Sequence, residues 1–537
     1  MASGWVKIAA FCAQNDRYAP YYWEALDHAG LIYERLDTLA PQDLGRTHVL
    51  LLLGTEQLAS PIHQGILKWV EEGGQLVVSG STWGFDAQLG GTSSKTIGRG
   101  KLGEATFFGG VCIPEIVADA DNEKGKIWFF GPHVGKTIAL MQFGRSVECD
   151  AVGPDDVRLD DGRLRAEDGS ALDFDLDREP IGAERVFAVA SADRVRNALT
   201  ESILSACDAS EHPYALLWHW PNHAQSTYSV TLDCADFDPD QALIAKRLFG
   251  MHGIQAAWLL SKPGYSSEFY RAARSRDDEI GLLFEPEAEA QWSAEQLKMD
   301  ATTITRMTAN PNLTTCRPID GGWRRWTRFY ELCEEAGPRL SVAKGGRQQG
   351  TQGFLFGTSH PFFCRKFDGQ AGIVGELPYT MFRPGTTCSD ESVNRIIDET
   401  RKTYGCVQLV YEPSSFINVA EINTFRRIVG VMKEQRTPAM TPGEIYRFER
   451  ARRHLRLQKR VVDTDLYLDV YSETSLDGLS LLISDCDRFA SVKGKASRSI
   501  QLERYGRTFL ALSLDIEAKG RTELMLSQDS KSRPKAA

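Results

Sequence analysis

The chain has 537 residues, 42% of them apolar and 25% charged, with a formal charge of −10. These are the proportions of an ordinary globular protein, long enough for about three or four domains at roughly 100–200 residues each. The acidic balance excludes nucleic acid as the main partner, because phosphate binding needs a basic face, and apolar runs such as Val49–Leu53 are far too short to span a bilayer.

Trp5–Phe11 is preceded by no basic region and followed by no cleavage site. The expected location is therefore cytoplasmic, with a removed leader left open. Eleven cysteines lie scattered from Cys12 to Cys486 without a C-x-x-C pair, which speaks against zinc ribbons and for reduced, mostly buried thiols.

Over residues 1–215, strands are expected at Val6–Phe11, Tyr33–Leu36, Thr47–Leu53 and Gln75–Ser79, with helices at Tyr21–Ala29 and Pro61–Glu72. Such alternation predicts a parallel, doubly wound, flavodoxin-like α/β sheet. Gln75–Ser79 runs into Gly80-Ser81-Thr82-Trp83-Gly84, a glycine-flanked turn of the nucleophile-elbow kind with Thr82 at its centre. With Lys126–His133 (KIWFFGPH), this portion resembles the class I glutamine amidotransferase-like fold. The resemblance implies the fold, and an amidotransferase-like use of Thr82 and His133 is the least favoured functional reading, since the family's cysteine nucleophile is missing.

Gly131–Thr137 (GPHVGKT) has three residues where a phosphate loop needs four, and Lys136–Phe143 reads as a strand, so nucleotide binding is rejected there. Residues 150–180 are rich in Asp and Gly and are expected to form a solvated β insertion of short hairpins. A helix over Asp193–Cys207 closes the unit.

Residues 216–455 repeat strand then helix. Strands are expected at Ser229–Leu232, Gln255–Leu260, Glu279–Phe284, Thr314–Pro318, Leu340–Ala343, Gly375–Tyr379 and Cys406–Tyr411. Helices between and after them run from Pro239–Gly250 to Thr441–His454. Units of about 30 residues predict an irregular (β/α)7 barrel with its site at the C-terminal ends of the strands. The first strand ends in acids, Asp233, Asp236 and Asp238, and follows the aromatic, histidine-bearing run Trp218–His223.

Here the chain resembles the polysaccharide deacetylase superfamily, through TLDCADFD (231–238), GIQAAWLL (253–260), DEIGLLFEPE (278–287), the Arg317–Trp323 segment with EEAG (334–337), GFLFGTSHPF (353–362), ELPYT (376–380), QLVYEP (408–413) and TPGEIYRFERAR (441–452). The resemblance implies metal-assisted hydrolysis of an N-acyl group, in which an ion lowers the pKa of bound water and offsets the oxyanion. It places the base on Asp233 and a substrate-side arginine on Arg317. The metal aspartate position holds Cys234, the two metal histidines fall on Leu283 and Glu287, and the late histidine falls on Tyr411.

Two repairs are open. Asp233, Asp236 and Glu287, with Glu285 as a further candidate, would make an oxygen-rich site that suits magnesium, calcium or manganese better than zinc, with zinc left open. Alternatively His219, His223 or His360 enters the mouth. The candidate residues are thus Asp233, Arg317 and His360 for catalysis, Asp236 and Glu287 for metal, and Trp220, Trp323 and Tyr411 for substrate. The expected ligand is a carbohydrate, bound in a groove that also draws on Trp218, Trp292, Trp326 and Phe362. The favoured reading is a divergent, deacetylase-like glycan binder of surface-polysaccharide metabolism, a pseudoenzyme lacking the usual metal catalysis. The alternative is an active deacetylase hydrolysing a non-peptide amide. Homo-oligomerisation stays open.

The basic run Arg447, Arg450, Arg452, Arg453, Arg456, Lys459 and Arg460 reads as a solvated face. Residues 456–537 alternate in the strand manner, at Thr464–Tyr471, Ser480–Ser484, Ala490–Val492, Ser499–Leu502 and Thr508–Leu514, and are expected to form a small β-sandwich.

Overall fold

The computed structural model describes residues 4–89, 100–102, 105–107, 125–131, 133–151, 161–286, 292–310, 313–365, 371–462, 465–485, 489–494 and 496–528. The N-terminal sheet is parallel, in the order Glu34–Leu36, Ile8–Cys12, Val49–Leu53, Gln75–Ser79, Lys126–Phe130. Val49–Leu53 is apolar throughout and fully buried, as a central parallel strand covered on both faces must be. The helix Pro20–Ala29 has proline in its first turn and ends at Gly30, which sits in the left-handed region at φ 69°.

Lys136–Phe143 is not a strand. Val134–Ile138 is helical and continues as a π-turn over Ala139–Phe143. His133 opens this helix by accepting the Lys136 backbone N–H on its side chain. A short apolar run carries no period that separates a buried helix from a strand.

The central sheet is mixed and curls as a half-barrel. Its order is Phe362–Arg365, Ala371–Glu376, Leu340–Ser341, Thr315–Pro318, Glu279–Phe284, Ala257–Leu260, Thr227–Cys234, Cys406–Tyr411, Met381–Phe382. Every neighbouring pair is parallel except the first. The two end strands, two to four residues long, add to the seven expected. Helix starts around this sheet are chemically marked. Asp238, Ser266, Ser293, Ser389 and Thr441 each accept a backbone N–H of the first turn.

The C-terminal strands form two antiparallel sheets. One has the order Arg456–Val462, Asp465–Ser472, Gly520–Gln528, Phe489–Gly494. The other runs Ala215–Leu217, Leu476–Ile483, Arg507–Ile516, Ala496–Arg504, so a segment lying before the barrel in sequence is its edge strand. No helix among the described residues is long and apolar enough to cross a membrane.

Two expectations about charged segments change. Residues 161–178 are not a solvated hairpin. Ala166–Gly169 is a buried 3-10 turn, Arg165 bridges Gly322, the Trp323 backbone donates to Leu164 O, and Ser170 Oγ donates to Leu355 O. A hairpin does occur just beyond, pairing Glu179–Ile181 with Glu184–Val186. In the basic run, Arg452 is buried and the Arg453 side chain is largely covered. Arg452 donates to Leu217 O and His28 O, and Arg453 reaches Glu24 at 2.7 Å, so these two cations join elements from distant parts of the chain.

Candidate functional site

Residues alternate in side along Thr227–Cys234. Thr231, held by Gln408 Nε2 of the next strand, and Asp233 take the inward face. Cys234 falls on the other side, near the Tyr265 hydroxyl. Of the acids that follow, Asp238 caps the helix Pro239–His252, accepting from Asp240 N and Gln241 N, and Asp236 is exposed. Only Asp233 of this acidic cluster enters the barrel mouth.

Asp233 meets two guanidinium groups there. Its Oδ2 lies 3.6 Å from Arg317 Nε and 3.6 Å from Arg347 Nη1. Arg317, fully buried, lies over the Tyr379 ring at 4.5 Å, and Arg347 lies over Phe382 at 4.2 Å. Tyr379 is fixed by donating to Gly345 O at 2.7 Å. Arg347 is fixed from outside by Asp320 at 3.1 Å and by its backbone N–H on Glu167 Oε2 at 2.7 Å. Burial pushes the Glu167 carboxyl up to about 7, against the pull of that hydrogen bond and of Arg347 and Arg165. Glu412 is raised too, by burial opposed by Arg383, with Asp233 adding to the rise.

Several polar atoms of this cluster are buried without a hydrogen-bond partner. They are Asp233 Oδ1, all three nitrogens of Arg317, and Arg347 Nη1. Arg347 was not singled out in the sequence: its segment, Gly345-Gly346-Arg347-Gln348, has no periodic or motif signal.

The described residues at this mouth do not fit a divalent metal. Two guanidiniums stand beside Asp233, and Leu283 pairs in register with Arg317. Asp236 and Glu285 are exposed, and Glu287 lies outside the described residues. Among the described residues, no group of three or more metal-binding side chains includes Asp233.

The remaining candidates lie elsewhere. His360 does not join Asp233. Its Nε2 contacts Thr403 O at 2.8 Å, next to Gly405, whose carbonyl accepts from Thr227 N at the start of the strand. Asp233 is six residues further on, roughly 20 Å away at strand rise. His219 packs with His360 instead, and the His223 backbone bonds Ser480 Oγ of the C-terminal sheet. Trp220, Trp323 and Tyr411 have no accessible face to offer a sugar, being 2%, 1% and 0% exposed. Trp220 donates to Tyr404 O and stacks on His360. Trp323 packs on Phe329 and Tyr330. Tyr411 points away from the mouth into Phe416 and Phe425. Thr82 and His133 do not form a catalytic pair. His133 places Nε2 2.6 Å from Asp16 and uses Nδ1 for the Lys136 N–H, which leaves no lone pair for a hydroxyl.

No protein-family model and no curated protein matches the chain. Among solved structures, it is similar to Agd3, described as a novel carbohydrate deacetylase, at 8% identity and a TM-score of 0.40, over 98% of this chain and 99% of that one. It is also similar to the Bc1960 peptidoglycan N-acetylglucosamine deacetylase (11% identity, TM-score 0.27, 42% of this chain and 89% of the other). A CE4 family pseudoenzyme from Bacillus anthracis aligns at 10% identity and a TM-score of 0.26, over 42% and 66% of the two chains.

Proposed function

We propose that the protein is a divergent polysaccharide deacetylase-like carbohydrate binder that receives an N-acylated glycan at the barrel mouth without metal-dependent deacetylation. The observation that carries this reading is the Asp233–Arg317–Arg347 cluster, which aims unpartnered buried donors and an unpartnered acceptor at one place. Buried polar groups without partners are expensive unless something bonds them. An acyl carbonyl accepts from the guanidiniums, and a sugar hydroxyl or amide N–H donates to Asp233 Oδ1. Only 8% of the Asp233 side chain and 13% of the Arg347 side chain are open, so the cluster takes a protruding substituent rather than a whole ring. Within this reading, the chain comprises an amidotransferase-like, flavodoxin-type unit (1–215), a deacetylase-like barrel (216–455) and a β-sandwich (456–537).

The test is titration of N-acetylated chito-oligosaccharides beside their de-N-acetylated counterparts, with acetate release followed with and without added zinc, magnesium or manganese. The expected result is at least about tenfold tighter binding of the acetylated form, a gap near 1.4 kcal/mol, lost in Arg347→Gln, with no acetate released. Acetate release that depends on Asp233 would show an active deacetylase. Equal binding of both sugars would remove the acyl group from the recognition.

A further inference from the structure

A second cluster stands at the opposite end of the barrel strands, where three elements meet. His28 comes from the last turn of Pro20–Ala29. His219 comes from the link between Ala215–Leu217 and the turn Pro221–His223. His360 precedes the strand Phe362–Arg365. Their ring centroids are 4.4, 4.6 and 4.9 Å apart, and one ring nitrogen of each lies within 4.8 Å of the others. All three are at most 3% exposed.

We propose that His28, His219 and His360 bind a transition-metal ion of the zinc class, which fastens the N-terminal helix and the inter-sheet link to the base of the barrel. The protonation pattern supports this. A carbonyl only accepts, so the Nε2 that faces Thr403 O carries the hydrogen of His360, and Nδ1 is left with a lone pair. His219 turns Nε2 to the Tyr505 hydroxyl at 3.2 Å, and its Nδ1 has no partner. His28 Nδ1 has none either. His219 and His360 are oriented as metal-binding imidazoles are, one nitrogen bonded to a carbonyl or hydroxyl and the other free for the ion.

Neutral imidazole is the ligating form, so the charges around the rings matter. The cations nearby are matched by acids: Arg196 pairs with Asp193, Arg452 with Glu449, and Arg453 with Glu24 and Glu449. An all-imidazole donor set selects zinc, copper or nickel over magnesium or calcium. Zinc–nitrogen bonds of about 2.0–2.1 Å place tetrahedral ligands roughly 3.4 Å apart, within the 4.8 Å that encloses these nitrogens. With all three rings this deeply buried, the ion organises the fold and does not meet substrate.

The full-length chain, with any affinity tag removed, is loaded with cobalt(II) or zinc and dialysed, and metal content and X-ray absorption are measured. The expected result is about one ion per chain with a nitrogen shell near 2.0 Å bearing imidazole scattering. It should fall at least tenfold in His219→Gln and His360→Gln and be unchanged in Asp233→Ala. Should the histidine variants not fold, the spectrum of the loaded wild type decides. No retained ion, an oxygen-only shell, or stoichiometric metal in folded His360→Gln overturns the proposal. None of these results bears on glycan binding at the mouth.

Discussion

Replacing Asp233 with asparagine keeps its shape and removes the only carboxylate among the described residues that pairs with Arg317. At 3.6 Å and an effective dielectric near 20, each of the two guanidiniums attracts that carboxylate by about 4–5 kcal/mol before desolvation. Arg347 keeps Asp320 and some solvent, so its loss is partly made good. Arg317 is fully buried and has no other ion-pair partner among the described residues. Breaking a buried pair from one side costs about 3–5 kcal/mol, and we expect the lower end, about 3 kcal/mol. The assay is hydrogen exchange followed by mass spectrometry on peptides covering Thr227–Cys234 and Thr315–Pro318. A loss of this size speeds their exchange by roughly a hundredfold. Adding Arg317→Met, which removes the stranded charge and fills its volume, should restore most of the protection. Unchanged or slower exchange in Asp233→Asn would refute the ion-pair account, and would mark Asp233 as a group held in place at the expense of stability.

Three further outcomes are expected. Glu167, raised from 4.5 to about 7, is protonated more readily in the fold than in the unfolded chain. Its contribution, about 3 kcal/mol at roughly 1.4 kcal/mol per unit, is therefore complete below pH 4.5 and lost as pH rises through 7. Exchange of residues 161–170, corrected for intrinsic rate, should rise over that window, and Glu167→Gln should flatten it. Lys344, lowered from 10.5 to about 8 by burial, is bonded to Phe143 O and sandwiched between Trp323 and Phe356. The unfolded chain holds this proton longer, so stability should climb by up to about 3 kcal/mol from pH 8 to 10.5 and stay level in Lys344→Met. A methyl on Gly353, at φ 100°, would stand 2.2 Å from Phe187 O, so Gly353→Ala should cost roughly 3 kcal/mol, visible as a lower melting temperature.

What could be read from the sequence was whatever repeats locally. The strands Gln75–Ser79, Glu279–Phe284 and Cys406–Tyr411 fall where patterning puts them. Asp233 and Arg317 do meet. The rest depends on distance in sequence. Arg347 sits in a loop whose place is set by Glu167, 180 positions away. Histidines at 28, 219 and 360 share no spacing and are neighbours only because three elements converge. The short end strands Phe362–Arg365 and Met381–Phe382 take their conformation from the strands beside them, since propensity over so few residues is too weak to decide. The aromatic candidates Trp220, Trp323 and Tyr411 carry the right chemistry, but alternation alone did not reveal that each turns to the core.

The edge strand Ala215–Leu217 has a consequence for how the polypeptide is made. Tyr214 leaves the ribosome 270 positions before Ser484, the residue whose hydroxyl accepts its N–H. Throughout that interval the strand's ladder partner does not yet exist, while the barrel between them is being synthesised. Leu216 and Leu217, buried in the finished protein, bridge Leu31 and Gly30 on one side and meanwhile leave the other an open apolar edge of the kind that pairs with other nascent chains. A gene cut after residue 455 would make that exposure permanent. The chain should therefore tolerate shortening poorly there, and its yield in the cell should depend on holdase chaperones until the last hairpin arrives.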